Sequence, residues 1–225
     1  MVSLLDIIGP VMVGPSSSHT AGACRLGLLA RNLVGGTPER AHVELHGSFA
    51  RTGEGHGTDK AIAGGLMGFR PDDERIRDAL DIAERDGLAF TFAKTTIGDG
   101  DESRVHPNTV RITVERGDRR HVMVGSSLGA GRVLVSEVDG FPVEVHGTHH
   151  TIVLVAEDVK GSVARIAGIL ADDGINIATL RLSRKHRGGD AFMVIEVDDA
   201  PGESVREHIR ALPWVRWTHR LDKVN

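Results

Sequence analysis

A short polar segment near the start of the chain carries residue types that could do chemistry. The segment GPSSSHT, residues 14–20, places four hydroxyl groups and one imidazole directly before an alanine-rich helical pattern. The first turn of a helix leaves backbone N–H groups unpaired, and that end attracts a carboxylate or a phosphate. A serine N-cap followed by spare serines fits the same pattern, so the segment alone leaves both interpretations open.

Two further segments have similar potential. In GEGHGTD, residues 53–59, glycines flank His56, and this arrangement lets the ring approach a ligand or a partner's site closely. A flexible turn in which Thr58 or Asp59 caps the next helix is the alternative. In HPNT, residues 106–109, Pro107 requires an extended entry into a strand, which a plain turn would also explain.

Other motifs lack the context that their chemistry requires. The segment GSSLG, residues 125–129, fits the nucleophile elbow G-x-S-x-G, but a strand-like run follows it where that motif needs a helix. Residues 14–20 lack the second glycine and the lysine of a phosphate-binding P-loop. The histidines of HGTHH, residues 146–150, are interpreted as linker residues, because neighbouring side chains on a strand point to opposite faces. The sequence therefore predicts no metal site in this chain.

The composition excludes several classes of protein. The 225 residues carry a formal net charge of -4, which argues against a nucleic-acid partner or an anionic membrane surface. No segment approaches the ~20 apolar residues of a membrane span, and the N-terminal segment lacks the basic start of a signal peptide. Cys24 is the single cysteine, so this chain alone builds neither a disulfide nor a cysteine-only metal cluster. A reducing, cytoplasmic location is the simplest interpretation.

Hydrophobic periodicity predicts the order β-α-β-β-α-β in the C-terminal third. Apolar residues at 163, 166, 167 and 170 repeat at helical spacing between two strand-like runs. The segment RGGD at 187–190 is typical of a hairpin turn, and the whole order is that of the ferredoxin-like unit. The predicted strands are 151–157, 175–186, 191–198 and 214–221, with helices beginning near 162 and 201.

The first part of the chain has a mixed pattern of helices and strands. The domain boundary is predicted near Thr148, which divides the chain into domains 1–147 and 148–225. Predicted helices cover 21–34, a short stretch reached through the glycine-rich residues 51–65, and 72–86. Predicted strands cover 41–49, 88–94, 108–116, 120–126 and 132–138, and residues 141–150 are predicted to connect the two parts.

Taken together, the motifs resemble one family. GPSSSHTAGACRLG, then GHGTDKAI at 55–62, then HPNT and a C-terminal βαββαβ unit occur in the order found in the beta subunit of bacterial iron–sulfur-dependent L-serine dehydratases (L-serine deaminases) of the two-chain type. The resemblance covers the whole chain, and GPSSSHT is its most specific element. It implies an α+β fold. Its N-terminal part is similar to the allosteric-substrate-binding domain of some phosphoglycerate dehydrogenases, and its C-terminal part is an ACT domain, a small amino-acid-sensing module.

The resemblance also implies an activity and a partner. The family converts L-serine to pyruvate and ammonia, a reaction of serine catabolism that feeds gluconeogenesis. It uses a [4Fe–4S] cluster held by cysteines of an alpha subunit, whose open iron acts as a Lewis acid while a base takes the α-proton. The chain would then be an L-serine ammonia-lyase subunit, active only with its alpha partner. Cys24, inside the first predicted helix, is interpreted as a small packing residue.

Site residues follow from the resemblance motif by motif. The implied catalytic residues are His56 and His19. The implied substrate-binding residues are Ser16, Ser17, Ser18, Thr58, His106 and Asn108. In the ACT domain, the implied effector-binding residues are Asp158, Gly161, Ser162 and Asn176.

Three alternatives stay open from the sequence. The ACT domain could serve only for self-association, because its first loop lacks the Pro-Gly pair that many effector-binding ACT loops carry. The chain could be a regulatory amino-acid-binding protein without a catalytic partner, although such a sensor has no need of the SSSHT and GHGTD segments. It could also belong to an enzyme that acts on another small hydroxy-amino acid.

Overall fold

The chain folds around two β-sheets, and the computed structural model describes residues 10–98, 105–184 and 186–224. The strands of the first sheet are β1 (Arg40–Leu45), β2 (Ala89–Lys94), β3 (Thr109–Arg116), β4 (Arg119–Gly129), β5 (Arg132–Val138) and β6 (Phe141–Val145). They lie in the order β2-β1-β3-β4-β5-β6. β1 and β2 are parallel, and the other neighbouring pairs are antiparallel.

Helices cover this first sheet. They are α1 (Ala23–Val34), α2 (Gly47–Thr52), α3 (Thr58–Met67) and α4 (Ala79–Arg85). A π-helical turn, Ser17–Gly22, leads into α1, and 3-10 turns at Glu54–His56 and Glu74–Asp78 precede α3 and α4. Leu26, Leu29 and Leu33 of α1 are fully buried in one core with sheet residues such as Ile112 and Val135. None of the helices in the described ranges is long and apolar enough to cross a membrane.

The second sheet confirms the predicted β-α-β-β-α-β order. Its elements are β7 (His150–Glu157), α5 (Ser162–Asp172), β8 (Ile177–Arg184), β9 (Asp190–Val197), α6 (Glu203–Arg210) and β10 (Val215–Leu221). The strands lie in the order β10-β7-β9-β8 and pair antiparallel.

The predicted connection over residues 141–150 contains a strand instead. Phe141–Val145 is strand β6 at the edge of the first sheet, where Phe141 and Val145 are buried and pair with Val138 and Val135. The alternation of apolar and polar residues here is short, and Pro142 interrupts it, so the sequence did not indicate a strand. The proline is tolerated because β6 is an edge strand.

The predicted strand 41–49 and helix 72–86 also differ from the structure. The strand ends at Leu45, because Gly47 has φ +55° and turns the chain into α2. The backbone N–H of Ser48 then donates to the Pro107 carbonyl at 2.6 Å. The helix begins as a 3-10 turn at Glu74, after Asp73 caps it by accepting from the Arg75 N–H at 3.0 Å.

Helices α1 and α3 lie unusually close to each other. A Cβ added at Gly65 would lie 2.1 Å from the Cys24 carbonyl oxygen, and one at Gly27 would lie 2.5 Å from the Ile62 carbonyl oxygen. Towards the far end of both helices, a Cβ at Gly68 would lie 3.1 Å from Arg31. Glycine is what permits this close approach of the two backbones.

The two sheets share a core. Side chains of β7 and β9 alternate in direction. Ile152 and Leu154 pack against α5 and α6, whereas Val153 and Val155 join the core of the first sheet. At this junction the rings of Phe141 and Phe192 are stacked with centroids 5.2 Å apart. Burial on both faces explains why these strands read as continuous apolar runs.

The helix contact yields a matched pair of predictions. Gly65→Ala is expected to lower the free energy of unfolding by about 1–3 kcal/mol, because the new methyl group must displace the backbone of α1. Gly168→Ala in α5, where a Cβ meets nothing within 4 Å, is expected to raise it by about 0.5–1 kcal/mol through helix propensity. Urea denaturation followed by circular dichroism measures both, and a Gly65→Ala variant as stable as the wild type would contradict the close packing.

Candidate functional site

The serine-rich segment forms the entry to α1. Ser16 is the N-cap of the π-helical turn, and its Oγ accepts a hydrogen bond from the His19 backbone N–H at 3.1 Å. Ser16, Ser17, Ser18 and His19 are half-buried. The predicted serine N-cap, with two further serines beside it, is therefore present, and binding of an anion at this helix start stays a prediction.

His19 is held by α2, a helix that sequence reasoning missed. Its Nε2 lies 3.1 Å from Thr52 Oγ1, and its ring packs edge-on against Phe49 with centroids 5.2 Å apart. The Thr52 hydroxyl donates its hydrogen to the Ser48 carbonyl oxygen at 3.0 Å, so it accepts from His19 Nε2–H. This assigns the proton of neutral His19 to Nε2 and leaves Nδ1, 3.4 Å from Ser16 Oγ, as the basic nitrogen.

His56 lies directly beside His19. The two ring centroids are 4.9 Å apart, and His56 Nδ1 lies 2.9 Å from the Thr52 carbonyl oxygen. A carbonyl oxygen only accepts, so Nδ1 carries the hydrogen and Nε2 is the basic nitrogen of this exposed ring. Burial, together with the neighbouring His56, lowers the pKa of His19, which favours its neutral form.

His56, whose ring lies beside that of His19, lines a cleft of about 400 Å³. The segments that lead into α1 and α3 meet at this cleft, and helix dipoles favour a negative group near helix N-termini. The hydroxyl of Thr20, which lines the cleft, and that of Thr58 are buried without a hydrogen-bond partner among the described residues. The lining residues include Gly14, Pro15, Thr20, His56, Gly57, Lys60 and Arg77.

The third segment, HPNT, supports α2, the helix that holds His19. The Pro107 carbonyl anchors the start of α2, and His106 Nδ1 accepts the Asn108 N–H at 3.1 Å. Burial lowers the pKa of His106. Its side chain lines a separate cavity of about 520 Å³ together with Arg111 and Ser126. Asn108 Nδ2 lies 3.5 Å from the Ser127 carbonyl oxygen, and its buried Oδ1 has no partner among the described residues. The structure therefore brings residues 16–20 and 53–58 together, and places His106 on a neighbouring cavity.

The described residues do not form a ligand set for a metal or an iron–sulfur cluster. No group of three or more His, Cys, Asp or Glu side chains in the described ranges is placed to hold a metal ion. Cys24 is fully buried, and its Sγ donates to the Phe69 carbonyl oxygen at 3.2 Å. Burial raises the pKa of this thiol to about 12, whereas a cluster ligand must be a thiolate.

The predicted effector residues do not meet in one chain. Asp158 follows β7 at the end where Glu157 pairs with Asp190, together with Gly161 and Ser162 at the start of α5. Asn176 precedes β8 at the other end of the sheet, where Ile177 pairs with Val197. Eight-residue strands separate these ends by about 25 Å. Within one chain these residues therefore lie at two ends of the sheet, because α5 carries the chain back along the sheet before β8 begins, and their role as effector-binding residues stays a prediction.

The polar atoms of these two residues are also engaged. The Gly188 N–H and the Arg184 guanidinium donate to Asp158 at 3.0 and 2.7 Å and hold the pKa of its carboxyl below the usual range. Asn176 Nδ2 donates to Asp198 at 2.7 Å. These contacts tie loops within the domain.

Comparison with known proteins identifies relatives along almost the whole chain. A family model described as serine dehydratase beta chain matches residues 3–138, and an ACT domain model matches residues 150–213. The chain is 44% identical over 211 residues to the probable L-serine dehydratase beta chain of Bacillus subtilis, with 94% of each chain covered. It is 36% identical over 209 residues to the L-serine dehydratase beta chain of Peptoniphilus asaccharolyticus, with 92% of each covered.

A further relative bears on the fold. The chain is 25% identical over 193 residues to a D-3-phosphoglycerate dehydrogenase of Synechocystis. The aligned region covers 85% of this chain and 34% of that protein. The resemblance inferred from the motifs is confirmed, and so is the α+β fold with a C-terminal ACT domain. The roles of individual site residues stay predictions.

The assigned tautomer of His19 is directly testable. In the wild-type chain, long-range ¹H–¹⁵N NMR correlations are expected to show His19 protonated at Nε2, because Thr52 accepts from that nitrogen. Thr52→Val removes the acceptor and is expected to give a mixture of both tautomers. Thr91→Val, which removes the equivalent hydroxyl beside His42 on the distant β1–β2 pair, serves as control. An Nδ1–H tautomer of His19 in the wild type would contradict the assignment.

Proposed function

Because the chain belongs to the serine dehydratase beta chain family, we propose that it is one subunit of an L-serine ammonia-lyase that converts L-serine to pyruvate and ammonia. The observation that carries this proposal is the pair of adjacent imidazoles, His19 and His56, on the segments that lead into α1 and α3.

The carboxylate of L-serine suits the end of the fold where the two helices begin. Unpaired N–H groups at the helix start and the Lys60 ammonium favour a negative group in this cleft, and the Ser16–Ser18 segment follows Pro15 at its border. Thr20 offers a buried hydroxyl without a partner to the same space. Binding at the carboxylate would place the rest of the small substrate near the histidines.

The elimination requires a base for the proton on the α-carbon. His56 fits this role, because the Thr52 carbonyl holds its Nδ1–H and leaves Nε2 basic. Loss of that proton and of the β-hydroxyl as water leaves an enamine, which tautomerises to an imine and hydrolyses to pyruvate and ammonia. His19, neutral and fixed by Thr52, positions His56 and the serine-rich segment.

The site is incomplete in this chain alone. His56 and Lys60 are exposed, so the cleft is open to water, whereas proton abstraction from carbon benefits from a site that excludes water. A beta chain by name has a companion, and we infer that an alpha subunit covers this cleft. The [4Fe–4S] cluster implied by the family resemblance does not fit the described residues, so we assign it to that alpha subunit. The cytoplasm is the compartment that we propose for the complex.

Purification with the companion chain tests this proposal. Co-expressed with the alpha chain from the same genome, the protein is expected to elute as a brown complex that forms pyruvate from L-serine. Removal of iron by a chelator is expected to abolish pyruvate formation without separating the chains. A colourless chain that elutes alone and binds L-serine without turnover would instead support the alternative, a regulatory ACT protein.

Substitution of His56 tests its assigned role. In the complex, His56→Ala is expected to lower kcat at least about 100-fold, because a general base typically contributes 10²–10⁴-fold. Co-elution with the alpha chain is expected to be unchanged, since the His56 ring is exposed. His42→Ala, an exposed histidine on β1, is the matched control and is expected to keep wild-type kinetics. Unchanged kinetics of His56→Ala would remove His56 from the site.

A further inference from the structure

A second cleft lies at the junction of the two domains, away from the histidine pair. Its volume is about 620 Å³, larger than the cleft beside His56, and well within the range of small-molecule sites. Arg119 and His121 at the start of β4 and Asp139 after β5 form one wall. Arg210 at the end of α6, with Trp217 and His219 of β10, forms the other.

Positive charge at this cleft is only partly neutralised. Four arginines and two aspartates line it. Arg120 pairs with Glu115 at 3.4 Å, and Arg216 pairs with Asp190 at 3.0 Å. Arg119 donates to the Val34 carbonyl oxygen at 3.2 Å, and no carboxylate among the described residues pairs with Arg119 or Arg210. Two guanidinium groups of the cleft are therefore without an anionic partner in the described part of the chain.

The floor of the cleft offers a buried nitrogen without a partner. His121 is 5% exposed, and its Nδ1 donates to the Asp139 carboxylate at 2.8 Å. Its Nε2 is buried and bonds to none of the described residues, a costly state for a polar atom. Asp139 also accepts a hydrogen bond from the Val122 N–H at 2.8 Å. Its carboxylate therefore bonds to β4 and does not pair with the arginines of the cleft.

His219 reports the same positive environment. Burial, together with the neighbouring His121, Arg119 and Arg210, lowers its pKa to about 4, and the opposing effect of Asp139 is smaller. The rings of His121 and His219 lie with centroids 5.2 Å apart, and Trp217 lies 5.0 Å from His121. The arrangement combines apolar ring surface with unpaired guanidinium groups, which suits a small organic anion.

We propose that this interdomain cleft binds a small organic dianion whose carboxylate or phosphate groups pair with Arg119 and Arg210 and whose hydroxyl donates to His121 Nε2. The ring of Trp217 packs against the carbon skeleton of this ligand. Because the two guanidinium groups belong to different domains, the bound anion bridges them and stabilises their junction. This site is separate from the cleft assigned to L-serine, so the inference does not rest on the proposed function.

Calorimetry and thermal unfolding of the full chain test this inference. The probes are malate, succinate, which is malate without its hydroxyl, and inorganic phosphate, each against sodium chloride at equal ionic strength. Saturable binding of one malate per chain, about five- to tenfold tighter than succinate, and a rise in the unfolding temperature are expected. Binding of phosphate in place of malate would support the site and assign it to a phosphate group. Equal affinities of malate and succinate would contradict the role of His121.

Three arginine variants complete the test. Arg119→Gln and Arg210→Gln are each expected to weaken binding at least about tenfold, because each removes one charge-assisted contact. Arg132→Gln, an exposed arginine of β5 outside the cleft, is expected to bind like the wild type. Far-UV circular dichroism verifies that the variants fold. Absence of saturable binding up to about 10 mM of every probe, or equal losses in all three variants, would overturn the inference.

Discussion

The contact between α1 and α3 is the constraint on which the candidate site depends. Glycines at 27 and 65 allow the two backbones to approach so closely that a single methyl group at either position would collide with a carbonyl of the other helix. This contact therefore limits where the segments that precede the two helices can lie. The serine-rich segment enters α1 and the His56 segment enters α3, so one packing interaction brings two segments about 40 residues apart into one cleft. Glycine in this half of the chain therefore serves close packing of the backbone.

The second constraint is the burial of the ACT sheet on both faces. One face packs on α5 and α6, and the other joins the core of the first sheet through Val153, Val155, Phe192 and Val194. The edge strands of this sheet are β10 and β8; on β8 Leu182 is 39% exposed, and Val163 on α5 is 37% exposed. The sheet face opposite the helices is already covered, so it offers no surface to a further partner.

The sequence predicted elements and motifs better than it predicted how they meet. Periodicity located the ACT strands and helices, because β7 and β9 are long apolar runs and α5 is amphipathic. It missed α2, since GSFART has no helical repeat and depends on a carbonyl at Pro107, about 60 residues away. Ser48 and Thr52, which orient His19, went unnoticed for the same reason. The predicted effector residues lie at two ends of the ACT sheet within one chain, because strand register decides which loops share an end of the sheet.

The two clefts are related through α1. Its N-terminal end carries His19 and the serines, and its last carbonyls accept from arginines of the junction: Val34 from Arg119 and Gly35 from Arg116. The helix has 12 residues and spans about 18 Å, so it is a rigid element with one end at each cleft. An anion that draws Arg119 into the junction competes with the Val34 carbonyl for the same guanidinium. Occupancy of the junction and the last turn of α1 therefore share one hydrogen-bond donor. A free-energy coupling between the clefts that acts through this shared donor would, by linkage, be equal in both directions.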